Sequence, residues 1–177
     1  MYVDYIESPL GIMAFRASAQ GVTQVIFSGK KENRIKTNTI TNACKQQLIE
    51  YYNGQRTIFD LPLDPQGTIF QKSVWACLAQ IPFGKTLAYC DIAEMLNNRQ
   101  AVRAVGGANG RNPISIVVPC YRVIGKNGTL TGYAGGLERK LWLLKHETIE
   151  VKDSQENARL DVENVIDTRQ AKTKFLT

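Results

Sequence analysis

The spacing of apolar residues along the chain predicts its elements in order. The stretch 12–15, between the turn signals Ser8-Pro9-Leu10-Gly11 and Ala19-Gln20-Gly21, and the stretch 22–27 after them read as antiparallel strands of a meander. After a charged connection at 30–36, Ile40, Ala43, Cys44, Leu48 and Tyr51 recur at helical spacing, and Asn53-Gly54 closes that helix. Cys44 on this face is expected to be a small core residue. A last short strand is expected at 56–61. Leu61-Pro62-Leu63-Asp64-Pro65 then punctuates the chain and sets a domain boundary after residue 64.

The second half opens with a helix expected at 68–80, where Phe70, Val74, Trp75, Leu78 and Ile81 return at steps of three and four. A short helix at 89–96, a polar turn at 97–100 and a further helix from Ala101 to Ala108 read as a helix-turn-helix. Its second helix is alanine, valine and glycine around a lone Arg103. Long polar side chains for reading base edges are absent from it. Small residues instead allow a close backbone approach to nucleic acid with little sequence readout. The β-branched run Ile116-Val117-Val118 predicts a buried strand or the approach to one. Pro119 stops it and places Cys120 at the first turn of the next element, where converging backbone N–H groups favour a thiolate. A tight turn at 125–128, the glycine-rich bend Gly132-Tyr133-Ala134-Gly135-Gly136 and a helical run to Glu147 complete the layout of a nucleophile.

Composition narrows the class. The 177 residues suffice for one domain or two small ones. No apolar run approaches the ~20 residues of a membrane helix, and residues 1–10 carry no secretory signal. Four well-separated cysteines and a single histidine argue against a zinc cluster or a disulfide scaffold. The expectation is a cytoplasmic protein with access to chromosomal DNA, without metal, cofactor or obligate protein partner, and monomeric. The net charge of +6 is concentrated: residues 99–145 hold Arg99, Arg103, Arg111, Arg122, Lys126, Arg139, Lys140 and Lys145 against Glu138 alone. A basic stretch that contains the cysteine predicts a phosphate-bearing partner.

The motifs Pro119-Cys120-Tyr121-Arg122-Val123, Gly132-Tyr133-Ala134-Gly135-Gly136 and Leu143-Leu144-Lys145-His146-Glu147 resemble those of the methylated-DNA–protein-cysteine methyltransferases. The resemblance runs from about residue 68 to 147 and more faintly through the first sixty. It implies an α+β fold, with an N-terminal antiparallel sheet and helix of ribonuclease H-like type and a mostly helical winged-helix or helix-turn-helix domain. With the boundary after residue 64, the domains expected are a supporting one at 1–64, a DNA-binding and alkyl-transfer one at 65–148, and an extension at 149–177 that the resemblance does not cover. The activity implied is transfer of an alkyl group from O6 of guanine, or O4 of thymine, in double-stranded DNA to Cys120. Each molecule acts once, after minor-groove binding and base flipping, which is needed because a stacked base cannot enter a closed pocket. Cys120, Tyr121, Glu147 and Asn112 fall at the catalytic positions. Arg103, Tyr89, Ala101, Gly106, Arg122, Val123, Tyr133 and Ala134 fall at the DNA contacts, Arg103 filling the space of the flipped nucleotide and Tyr89 lying beside the guanine.

The departure is Tyr121, which stands where the family has His. A phenol, with a reference pKa of ~10 against ~6.5 for imidazole, is a poor base. A relay of Glu147, Tyr121 and a water, with help from Arg122, is expected to give a slower or more pH-dependent transfer. His146 reads as a helix-end residue meeting the dipole. Three other functions compete: a non-catalytic lesion binder of the alkyltransferase-like type, a sequence-reading regulator, and a cysteine hydrolase. The tail beyond 147 is apolar only at intervals and fits either an amphipathic helix or a frayed end.

Overall fold

The computed structural model describes residues 1–149 and the backbone of a strand pair in the tail. The fold is α+β, in two compact units: Met1–Gly67 with Pro113–Val117, and Thr68–Asn112 with the chain from Val118 onward.

The first unit is a three-stranded antiparallel sheet with one helix. Strands β1 (Tyr2–Ser8), β2 (Gly11–Ala17) and β3 (Val22–Phe27) follow in sequence order. The register runs from Tyr2 opposite Ala17 to Ser8 opposite Gly11, where the predicted turn closes. Central β2 buries Met13, Ala14 and Phe15 in succession. Helix α1 (Thr39–Tyr52) starts where Asn38 Oδ1 accepts the Thr41 N–H at 2.8 Å and Thr41 Oγ1 accepts the Asn38 N–H at 2.8 Å. This reciprocal cap satisfies two otherwise orphaned donors. The helix buries Cys44, Leu48 and Tyr51, as its spacing predicts.

The strand expected at 56–61 does not form. Both backbone groups of Asp60 are taken by one side-chain amide: Gln47 Nε2 donates to Asp60 O at 2.9 Å, and Asp60 N donates to Gln47 Oε1 at 2.8 Å. A side chain thus replaces the ladder. Pairing with β3 is deferred to a single parallel bridge between Val22 and Leu63.

The run Ile116-Val117-Val118 is buried as predicted but is not a strand. Ile114 makes an isolated bridge to Val25. Then Ile116 takes a φ of +72°, and the Val117 N–H closes back on Ser115 O at 2.9 Å. This is a γ-turn centred on a β-branched residue, a sparsely populated conformation that costs on the order of 1–3 kcal/mol.

The second unit is mostly helical. Helix α2 (Ile69–Leu78) opens on Thr68, whose Oγ1 accepts the Gln71 N–H while Gln71 Oε1 accepts the Thr68 N–H. It buries Val74, Trp75, Cys77 and Leu78, and the Trp75 indole N–H donates to Ala108 O at 2.9 Å. Strand β4 (Leu87–Ala88) leads into helix α3 (Tyr89–Met95), where Asp91 Oδ2 accepts the Ala88 N–H. A 3-10 turn (Arg99–Ala101) joins α3 to helix α4 (Val102–Gly110), so the predicted helix-turn-helix is present. Strand β5 (Val123–Ile124) pairs with β4 in parallel. Helix α5 (Leu137–His146) buries Leu143 and Leu144. In the tail, β6 (Val151–Lys152) pairs with β7 (Arg159–Leu160), so at these positions the helix considered for the chain beyond Glu147 is replaced by strands, and the rest of that stretch past Ile149 lies outside the described residues. No helix among the described residues is long and apolar enough to cross a membrane.

Candidate active site

The site lies wholly within the second unit. Pro119, at φ −83° and ψ 65°, centres an inverse γ-turn in which the Cys120 N–H donates to Val118 O at 2.9 Å. Residues Cys120–Arg122 then make a single 3-10 turn. Cys120 sits deeper than the sequence implies, at 4% exposure. The expected standing thiolate is therefore corrected. Burial pushes the Cys120 thiol up, and outweighs the Asn112 amide, the Lys140 charge and the N–H groups of Cys120 and Tyr121, all of which pull it down. Asn112 also donates to Val118 O at 2.8 Å, so it holds the residue before the Pro-Cys pair.

Lys140 is the feature that sequence reasoning missed. It counted there as part of the basic stretch, yet it is fully buried. Its Nζ donates to Val123 O at 2.7 Å and to Thr131 O at 3.1 Å. Burial pulls its pKa down to about 8, and Cys120 pushes back. A signal existed: Lys140 stands three, four and seven residues before Leu143, Leu144 and Glu147, on the buried stripe of α5. Thr131, also unforeseen, ties the site together, because its Oγ1 hydrogen-bonds Tyr89 OH at 2.8 Å while its carbonyl holds Lys140. Burial raises the Tyr89 phenol pKa, and the charge of Cys120 adds to the rise.

Arg122 is also displaced from its expected place. It is 5% exposed, and its guanidinium grips the Glu147 carboxylate at both ends, Nε to Oε2 at 2.9 Å and Nη2 to Oε1 at 2.8 Å. Its Nη1 donates to Ile81 O at 2.5 Å. Glu147, fully buried, further accepts from Tyr121 OH at 2.5 Å and from the Gly84 N–H at 3.1 Å. Burying such a pair is favourable only when hydrogen bonds satisfy both partners, as here. The Lys140 charge favours the Cys120 thiolate, while the Arg122 guanidinium is held by Glu147 and the Ile81 carbonyl. His146 stacks on Trp142, ring centroids 4.8 Å apart.

Of the expected DNA contacts, Arg103 and Ala134 are exposed and Ala101 and Gly106 partly so. A Cβ on Gly106 would stand 3.9 Å from the Tyr89 ring, so α4 brings its small face against that tyrosine. Val123 is buried and offers its carbonyl to Lys140. Tyr133 is half-buried, its hydroxyl shielded from solvent, rather than standing free in its glycine loop.

Fold and site together define a class: two-unit α+β proteins that hold a buried cysteine, on a 3-10 turn, in the same unit as a helix-turn-helix. The chain matches two family descriptions, the ribonuclease-like domain of 6-O-methylguanine DNA methyltransferase over residues 1–65 and its DNA binding domain over residues 69–149. It is 47% identical over 153 residues to a methylated-DNA–protein-cysteine methyltransferase of Methanosarcina barkeri, covering 83% of this chain and 97% of that protein. A constitutive enzyme of the same name from Bacillus subtilis is 41% identical over 162 residues, covering 86% and 98%. Among solved structures, Mycobacterium tuberculosis OGT in complex with DNA aligns with a TM-score of 0.76 at 40% identity, covering 83% of this chain and 92% of that one. The chain belongs to the methylated-DNA–protein-cysteine methyltransferase family.

Proposed function

We propose that this protein repairs DNA by taking an alkyl group, methyl above all, from O6 of guanine onto Cys120 in one irreversible step. The observation that carries the reading is the Cys120 environment. A lone thiol is seated among Asn112, Lys140 and two backbone N–H groups, in a chain whose relatives are named for methyl transfer from DNA to a protein cysteine. Its partner is double-stranded DNA containing alkylated bases. The exposed Arg103, with Ala101, Gly106 and Ala134, meets the minor groove, while Tyr89 and Tyr133 flank the extruded base. Extrusion costs a few kcal/mol, least at a damaged pair, which biases the enzyme toward its lesion.

In the reaction Cys120 Sγ attacks the alkyl carbon in line with the C–O6 bond. Asn112 fixes the turn that aims the sulfur. Tyr121, Arg122 and Glu147 brace that turn against α5, so the departure at Tyr121 preserves the anchoring of the carboxylate. The thioether does not turn over, and each molecule is spent once. The protein acts as a monomer in the cytoplasm, where chromosomal DNA is at hand.

Incubation with an O6-methylguanine duplex is expected to add one methyl-sized mass increment to the peptide holding Cys120, one per protein, and none in Cys120→Ser. An increment on another residue, or repaired oligonucleotide in large excess over protein, overturns the reading.

A further inference from the structure

Helix α4 carries a buried amide oxygen that the described residues leave unanswered. Asn109 is 4% exposed, and its Oδ1 accepts no hydrogen bond among them. Such an oxygen keeps its full desolvation cost, so folded proteins rarely retain one without a use. Gln80 Oε1 and Thr86 Oγ1 share the condition. Gln80, however, is only half-buried at the end of α2, and the Thr86 hydroxyl can turn to donate. An amide oxygen can only accept.

The neighbours of Asn109 along the chain fix its place. One turn before it, a Cβ on Gly106 would stand 3.9 Å from Tyr89 Cδ1 and 4.0 Å from Cε1, so this side of α4 lies against the tyrosine ring. Residues three apart share a helix face. Three residues after it, the Asn112 N–H donates to Asn109 O at 3.2 Å, while Asn112 Nδ2 donates to Val118 O at 2.8 Å. That same Val118 carbonyl accepts the Cys120 N–H at 2.9 Å. The Trp75 indole N–H, donating to Ala108 O at 2.9 Å, holds the helix from its buried side. Asn109 therefore stands between the residue that meets Tyr89 and the residue tied to the turn that carries the sulfur.

Alkylation of a ring oxygen removes the adjacent ring N–H, because the base is then held as its enol ether. O6-alkylguanine keeps N–H donors only on its exocyclic 2-amino group. O4-alkylthymine keeps none. We propose that Asn109 is a specificity-determining residue whose Oδ1 accepts an N–H of the 2-amino group of the extruded O6-alkylguanine. The inference rests on Cys120 being the alkyl acceptor and on the base lying beside Tyr89. A thymine lesion in the same place leaves the oxygen buried and unanswered, and a site built to accept an N–H rejects the analogue that lacks it. The choice of guanine damage over thymine damage is then made on α4, apart from the sulfur.

Duplexes that differ only at the lesion test this: O6-methylguanine, O6-methylhypoxanthine, which lacks the 2-amino group, and O4-methylthymine. Single-turnover methyl transfer to Cys120 is measured in the native chain and in Asn109→Leu, which has a similar volume and no polar atom. Because the duplexes differ in stability, the quantity read is the rate ratio of O6-methylguanine to each of the other two. Both ratios are expected to fall by about tenfold or more in Asn109→Leu. Unchanged ratios overturn the proposal, because the amino group is then answered elsewhere. Should Asn109→Leu fail to fold, Asn109→Ala is judged by the same ratios. Binding of the three duplexes is also measured by fluorescence anisotropy in Cys120→Ser, with and without Asn109→Leu, where no transfer is needed. The same fall is expected in the ratios of affinity, and equal ratios overturn the proposal. A chain that takes up no methyl from any duplex therefore loses the repair reading, while the binding ratios still decide the role of Asn109.

Discussion

Cys44 and Cys120 are both buried thiols, and the difference between them is entirely in their neighbours. Burial alone acts on Cys44 and raises its pKa to about 12. At Cys120 an amide, an amine and two N–H groups oppose burial. Cys44 is therefore inert packing, and its influence is on stability. Because the folded pKa lies above the unfolded one, the contribution of Cys44 is fully present below about pH 9 and is lost as pH rises toward 12. A shift of this size corresponds to about 4 kcal/mol across that window. Lys140 runs the other way: its depressed pKa imposes a penalty below about pH 8 that is relieved as pH climbs toward its ordinary value of 10.5. Urea unfolding of native protein and Cys44→Ala from about pH 8 to 11 is expected to show a shallower alkaline loss in the variant. Parallel curves would mean that Cys44 titrates normally.

Among the elements, the turn before β4 illustrates how little sequence it takes to hold a site. Gly84 has a φ of +75°, and its N–H reaches Glu147 Oε2. A Cβ there would lie 3.3 Å from Glu147 O. Gly84→Ala is expected to cost roughly 1–2 kcal/mol, the penalty of a left-handed L-residue, and more if the carboxylate shifts. Chemical denaturation measures it, and an unchanged midpoint would show that the turn relaxes freely. Such turns also mark what sequence alone can and cannot tell. The helix at 68–80 was readable in its apolar spacing, and the helix-turn-helix in its polar turn, because both are local patterns. Cys120 was readable as the centre through its Pro, Gly and helix context. The strand wrongly expected at 56–61 failed because Gln47, distant in sequence, satisfies Asp60. Lys140 and Arg122 were read as exposed because charge is counted along a chain, whereas burial is decided across it.

For the molecule as a whole, that last point alters its dealings with a polyanion. Eight cations lie between residues 99 and 145, but Arg122 and Lys140 face inward, leaving Arg99, Arg103, Arg111, Lys126, Arg139 and Lys145 at least partly accessible. Arg99 also pairs with Glu94 at 3.1 Å. Binding to duplex DNA releases condensed counterions in proportion to the phosphates neutralised, with a log–log slope of about 0.9 per contact. These six can therefore supply a slope no steeper than about −5 between affinity and salt concentration. Fluorescence anisotropy across a potassium chloride series measures it. A slope near about −7 would require two further contacts, from the exposed Lys72 and Lys85 or from the interior pair turned outward. The shallower value would mean that grip on the duplex survives ordinary swings in cellular ionic strength, since so much of the positive charge never meets the solvent at all.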